Sequence, residues 1–233
     1  MTDLTALKAS NASRWQNAKL LKPGSFTAIA KHLIDPGAKQ RYMLVSAKTD
    51  IPWWFIAVIH ERECSQDWSR SLAQGDPWRA VSVHVPAGRG PFKSWEEAAV
   101  DALVNCAPYA ARNRDWSVGG MLTKLEEYNG LGYAVHRRPS PYIWSGTDQY
   151  ACGKYVSDGV YDPEAVDSQL GCAGLLLAMM ALDPTISFTD QTIASAQITP
   201  SPVRKPSLIH PSKGSIGAFI ASILSAISNF RRK

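Results

Sequence analysis

The chain has 233 residues, 45% hydrophobic and 19% charged, with eight tryptophans and eight tyrosines, enough for one sizeable domain plus an extension. Its net charge of +5 sits in the tail: Arg204, Lys205, Lys213, Arg231, Arg232 and Lys233 have no acid among them, leaving residues 1–199 with 19 basic and 20 acidic side chains. That balance sets aside a nucleic-acid-binding core, which would carry its own positive face, and suits a tail that meets an anionic surface.

Residues from about Thr2 to Leu21 read as a first helix, broken by Pro23-Gly24. Ser25 is placed to cap a short helix carrying Phe26, Ile29, Ala30 and Leu33, and Asp35-Pro36 starts another that leads to Asp50. The stretch Ile51 to Glu63 then stands out. Pro52 suits the first helical position, and Trp53 to Ile59 is apolar all round, as in a helix packed on every side. His60, Glu61, Arg62 and Glu63 arrive together at its end, where the helix dipole and the apolar wall both push a carboxyl pKa upward.

After Glu63, residues 64–93 read as loop, a strand or hairpin arm over Val81-Ser-Val-His-Val85, and loop again. Ser94-Trp-Glu-Glu97 is a capping box opening a helix. Asp115-Trp-Ser117 precedes a further helix stopped at Tyr128-Asn-Gly130. Tyr133 to Tyr155 reads as irregular and aromatic-rich, and Asp162-Pro163 as the start of the last core helix, with Leu175 to Leu182 too apolar for exposure. The sum is α+β and mainly α, with one small β element.

The expected organisation is a domain over 1–184, a Ser/Pro/Lys-rich linker over 185–213 and a basic C-terminal helix over 214–233. Within the last, Ile216, Phe219, Ile220, Ile223, Leu224, Ile227 and Phe230 form a helical stripe. Three readings stay open for it: an interfacial amphipathic helix, a short membrane span of about 25 Å, or a helix packing on protein. Cys64, Cys106, Cys152 and Cys172 show no CxxC spacing, so buried thiols and a reducing compartment are expected. The first residues lack a charged-then-apolar signal segment, which points to synthesis in the cytoplasm.

Several segments carry a resemblance. Ile59-His-Glu-Arg-Glu63, Gly75-Asp-Pro77, Val83 to Gly88, Ser94-Trp-Glu-Glu97 and Asp101-Ala-Leu103 occur in order, followed by Glu127-Tyr-Asn-Gly130, Pro141 to Gly146 and Gly153 to Gly159. From about Arg41 to Leu177 this set resembles a lysozyme family of bacteria and prophages, related to endolysins and lytic transglycosylases. The resemblance implies a two-lobed lysozyme-like fold and cleavage of the β-1,4 bond between N-acetylmuramic acid and N-acetylglucosamine in peptidoglycan. It implies Glu63 as general acid, in an Arg-Glu-Ser type motif where Cys64 replaces the serine, and favours Glu63 over Glu61.

Asp76 is a candidate second carboxylate that could activate water as in an inverting enzyme, against the turn that Asp-Pro pairs routinely initiate. With no second carboxylate in the cleft, a lytic transglycosylase, which needs one Glu, is the reading that the resemblance implies. Asp67 reads as a helix end. Tyr128 and Asn129 would contact saccharide, or serve as core and turn residues, and Tyr142, Trp144 and Tyr150 offer stacking faces or packing. His60, His84 and His136 lack metal-ligand spacing, so no metal and no cofactor is expected. Ser145-Gly-Thr147 lacks the frame of a nucleophile elbow, and Gly88-Arg-Gly90 lacks the Lys-Ser/Thr of a P-loop.

The partners expected are peptidoglycan and, through 214–233, an anionic membrane, with the chain a monomer acting on the cell wall in the periplasm. Two rivals are a non-catalytic, membrane-tethered wall-binding protein and a glycanase acting on chitin or chitosan.

Overall fold

The structure, a computed structural model, describes residues 3–157 and 159–188, all within the first of two compact units, residues 1–194. The linker from residue 189 onward and the helix expected over 214–233 lie outside the described residues.

The first helix, α1 (Leu4–Asn17), is capped by Asp3, whose Oδ1 accepts from the amides of Thr5 and Ala6. It ends four residues before the expected Leu21. The chain there is drawn into pairing with the 146–148 segment: Leu21 N donates to Gly146 O at 2.9 Å, and Lys19 N to the Asp148 carboxylate at 2.9 Å. Pro23 opens α2 (Pro23–Leu33) instead of breaking the chain, because the first helical position has no use for an N–H. Ser25 therefore lies inside α2 and caps nothing. Asp35 caps α3 (Pro36–Thr49) as expected, accepting from Gly37 and Ala38.

The helix α4 (Trp53–Cys64) follows Pro52 and is buried from Trp54 through Glu61. It packs against α2, α3 and the last helix, so the apolar run needs no polar side. Ser94 caps α5 (Trp95–Asn105), accepting from Glu97 N at 3.2 Å, while the Glu97 carboxylate reaches back to Lys93 N at 2.7 Å. A short 3-10 turn over Ala110–Arg112 leads to α6 (Val118–Tyr128), capped by Ser117 and stopped before Gly130, whose φ of 79° suits glycine. Two brief helices, α7 (Gly132–Val135) and α8 (Pro141–Trp144), precede an antiparallel pair, β1 (Lys154–Ser157) and β2 (Val160–Asp162). The last described helix, α9 (Cys172–Leu182), lies along α2. The fold is mainly α with one small two-stranded sheet among the described residues.

Two expectations are corrected. No strand forms over Val81–Val85. The amides of Val83 and His84 donate to the Asp76 carboxylate, and Ser82 pairs with Arg89, so the backbone groups a ladder would need are already taken. The last helix starts at Cys172 and not at Asp162-Pro163. Asp162 ends β2, and the carbonyls of Gln169 and Leu170 accept from Arg62, which holds the intervening segment as a strap. The core also extends past the expected boundary at 184: Ile186 is buried and Phe188 meets Trp15 and Trp54 edge-on.

Close approach of α2 and α9 depends on Gly174. A Cβ placed there would clash with the Phe26 ring, and Phe26 is fully buried. Gly174→Ala is expected to destabilise the domain by about 1–3 kcal/mol through overpacking. A lower midpoint with unchanged slope in urea unfolding is the expected reading; an unchanged midpoint contradicts it.

Candidate functional site

The end of α4 divides its side chains among three surroundings. His60 enters a cage of Tyr42, Trp68 and Trp95, with its Nδ1 at 2.9 Å from the Tyr42 hydroxyl. Burial there pulls its pKa down to about 4, so it is a neutral packing residue near pH 7. Glu61 is buried as well, and its Oε2 accepts from Gln66 at 2.8 Å. Burial raises its pKa, with Gln66 and Arg62 opposing.

Arg62 crosses to the strap. Its guanidinium donates to the carbonyls of Gln169 and Leu170 and pairs with Asp167 at 3.2 Å, while lying 4.6 Å from the Tyr142 ring centroid. Gln169 returns the contact, its side-chain amide donating to the carbonyls of Glu61 and Arg62 at the open end of α4.

Glu63 keeps contact with solvent. Its Oε1 accepts a 2.7 Å hydrogen bond from the Tyr142 hydroxyl. The surrounding protein raises its pKa by desolvation, while Tyr142 and the Arg62 charge pull it back. Tyr142 and Tyr128 are both pushed up by burial and by the nearby Glu63 charge, and the Tyr128 hydroxyl is buried without a hydrogen-bond partner. A solvent-accessible carboxyl with a raised pKa, bonded by a buried phenol, is suited to the role of proton donor.

Beside it lies a groove of about 500 Å3. Asn129, Tyr133, Tyr142 and Tyr155 line it together with Lys154 and Asp167. Asp167 is held between Arg62 and Lys154, at 3.2 and 3.3 Å.

Among the residues expected from sequence, Asn129 and Tyr142 line this groove, Glu63 meets it through its bond with Tyr142, and Tyr128 is buried close enough to feel the Glu63 charge. Asn129 is exposed at its edge, its side-chain amide donating to Ser140 at 3.3 Å. Tyr142 is a buttress instead of a stacking face, because its ring is buried against Arg62. Trp144 is fully buried and Tyr150 nearly so, with the Tyr150 hydroxyl spent on Gly153 O and Asp167 N. Neither offers a free face to a sugar.

Asp76 is placed as a loop clamp. Its Oδ2 accepts from Val83 N at 2.8 Å and His84 N at 3.0 Å, and its Oδ1 lies 2.6 Å from His84 Nδ1. These bonds hold its pKa below the usual carboxylate range and occupy the oxygens that water activation would need. Cys64, in the place of the usual serine, directs its Sγ at Ser71 O, 3.2 Å away, and burial lifts the thiol to about 12.

Sequence reasoning missed the Arg62–Asp167–Gln169 brace and the Tyr133, Lys154 and Tyr155 lining. Asp158-Gly159 between alternating Tyr155, Val156, Val160 and Tyr161 was the available hairpin signal. The brace joins residues more than a hundred positions apart and left no local mark. No cluster of three His, Cys, Asp or Glu side chains suited to a metal occurs among the described residues.

No family model, no curated protein and no solved structure matches the chain.

Tyr142→Phe removes the bond that favours ionised Glu63, so the carboxyl pKa should rise further. If Glu63 acts as an acid, the alkaline limb of the pH–activity profile moves to higher pH than in wild type. A limb that stays in place would separate Tyr142 from Glu63 ionisation.

Proposed function

We propose that the protein cleaves the glycan strands of peptidoglycan at the β-1,4 bond between N-acetylmuramic acid and N-acetylglucosamine, with Glu63 as general acid. The observation that carries this reading is the Glu63 carboxyl itself. It ends a buried apolar helix, keeps solvent contact, has a raised pKa and receives a hydrogen bond from buried Tyr142. Protonation of the bridging oxygen needs such a neutral acid, and the oxocarbenium-like charge that develops on the sugar needs an ionised group once the proton has left. The groove supplies hydrogen-bonding groups from Asn129, Lys154 and the tyrosines, as a saccharide requires. The ordered motifs resembling the bacterial and prophage lysozyme family support the substrate class.

The commitment of Asp76 to His84 and two backbone amides favours the lytic transglycosylase form of the reaction. There, Glu63 gives its proton to the leaving oxygen and then accepts one from the muramyl 6-hydroxyl, which attacks the anomeric carbon within the same sugar. One carboxylate suffices, and the product is a 1,6-anhydro ring. The non-catalytic wall-binding and chitin-cleaving readings have no observation of their own in their favour.

Glu63→Gln should lower the rate of turbidity loss of a purified peptidoglycan suspension by about 100-fold or more, the scale of a lost general acid. Equal rates in wild type and variant would remove Glu63 from the chemistry. Mass spectrometry of the released muropeptides should find 1,6-anhydro ends; reducing muramic acid ends alone would indicate hydrolysis.

The basic, apolar sequence over 214–233 supports binding to an anionic membrane. Sedimentation with vesicles containing anionic lipid should lose the protein when residues 200–233 are deleted. Unchanged binding after deletion would assign the contact elsewhere.

A further inference from the structure

A second cavity, also of about 500 Å3, is framed by α1, α6 and the residues joining α7 to α8. Arg14 lines it from α1, and Arg137 and Arg138 from the joining segment. None of the three forms an ion pair with a carboxylate among the described residues. Asp3, which also lines the cavity, is committed to capping α1.

Glu126 lines the same cavity from α6 and is 2% exposed, with Oε1 lacking any hydrogen-bond partner. Burial raises its pKa to about 8, with Ser140 and Arg14 pulling it partly back. At neutral pH it is therefore an uncharged acid, a hydrogen-bond donor that does not cancel the arginines. A glutamine or an apolar residue would serve the α1–α6 interface at lower cost, since a buried polar atom without a partner is destabilising. Three guanidiniums without a salt bridge among the described residues, set against the single carboxylate of Asp3 and a neutral Glu126, make a receptor for anions, most directly for carboxylates, which guanidinium engages in a two-point fork.

We propose that this cavity binds the carboxylates of a short peptide, the stem carried by a muramyl sugar seated in the groove that Tyr142 lines next to Glu63. The identity of the ligand rests on the glycan-cleaving reading above. Two observations favour a peptide over a bare anion. Part of the wall is apolar, with Ala6, Leu7, Val135 and Pro139 beside the polar Ser10, Asn11 and Ser140, a mixture that suits a peptide with aliphatic side chains and amide groups. The same segment also forms both sites: Gly132, Tyr133 and Pro141 line the groove, while Ala134, Arg137 and Ser140 line the cavity. Chain neighbours Tyr133 and Ala134, and Ser140 and Pro141, line one site each, a separation on the scale of the about 10–17 Å reach of an extended peptide of three to five residues.

The test is calorimetric titration of the full chain at pH 7 with the tripeptide Ala–γ-D-Glu–diaminopimelate. Saturable binding is expected, weakened at least tenfold in the double variant Arg14→Gln, Arg137→Gln and absent with the same peptide amidated at its carboxylates. Neither arginine is buried, so the substitutions spare the core, and an unchanged near-UV spectrum verifies it. Absent saturation, or equal binding by the double variant or of the amidated peptide, overturns the proposal. Inorganic phosphate that displaces the peptide with equal affinity also overturns it, leaving a general anion site. The titration reads no cleavage, so its failure is distinct from failure of the Glu63 assignment.

Discussion

The structure around the candidate site depends on one side chain, Arg62. From the last turn of α4 its guanidinium ties down the strap through two carbonyls and Asp167, and it covers the ring of Tyr142. The ion pair is largely shielded, with the Arg62 and Asp167 side chains 6% and 11% exposed. In such surroundings an ion pair adds little net stability, yet removing one partner costs about 3–5 kcal/mol because the other charge is left stranded. Its value is therefore geometric. The strap, the tyrosine that holds Glu63 and the start of α9 are all registered against the end of α4.

The adjacent carboxyl sits under opposing influences, and their balance gives it its chemistry. Desolvation favours the protonated form. A bond from Tyr142 and the charge of Arg62 favour the ionised form. A group subject to both influences suits a role that donates and then accepts a proton, as the proposed single-carboxylate reaction would require. The same helix end shows the opposite treatment at His60, whose aromatic cage removes it from proton transfer near neutrality.

Asp76 shows how a loop substitutes for a sheet. One carboxylate gathers two successive amides and an imidazole, and the Val81–Val85 segment stays irregular with its valines exposed. The hydrogen bonds that stabilise this loop are the reason that Asp76 is unavailable as a base. Structural and catalytic uses of a carboxylate compete for the same lone pairs.

Much of the helical order was legible in the chain, because its signals are local. Asp35, Ser94 and Ser117 mark helix starts through their own side-chain bonds, and the apolar run before His60 marks a buried helix. Glu63, Tyr128 and Asn129 are singled out by the ordered motifs that carry the resemblance, and these lie at the ends of the same helices. The misreadings fall where distant groups override local preference. Pairing with 146–148 stops α1 early, Asp76 takes the amides of a strand-like segment, and Arg62 holds open a segment that Asp162-Pro163 would start as helix. Trp144 and Tyr150 look identical in sequence whether they face a sugar or the core, and only packing places them inside. The sequence by itself thus determined the longer helices α1 to α6 and the cluster of ionisable groups that ends the buried one, while the short α7 and α8, in a stretch that read as irregular, were not legible. Tertiary structure alone decided the partners of Glu63 and which other carboxylates remain free, since hydrogen bonds between distant residues leave no trace in local periodicity.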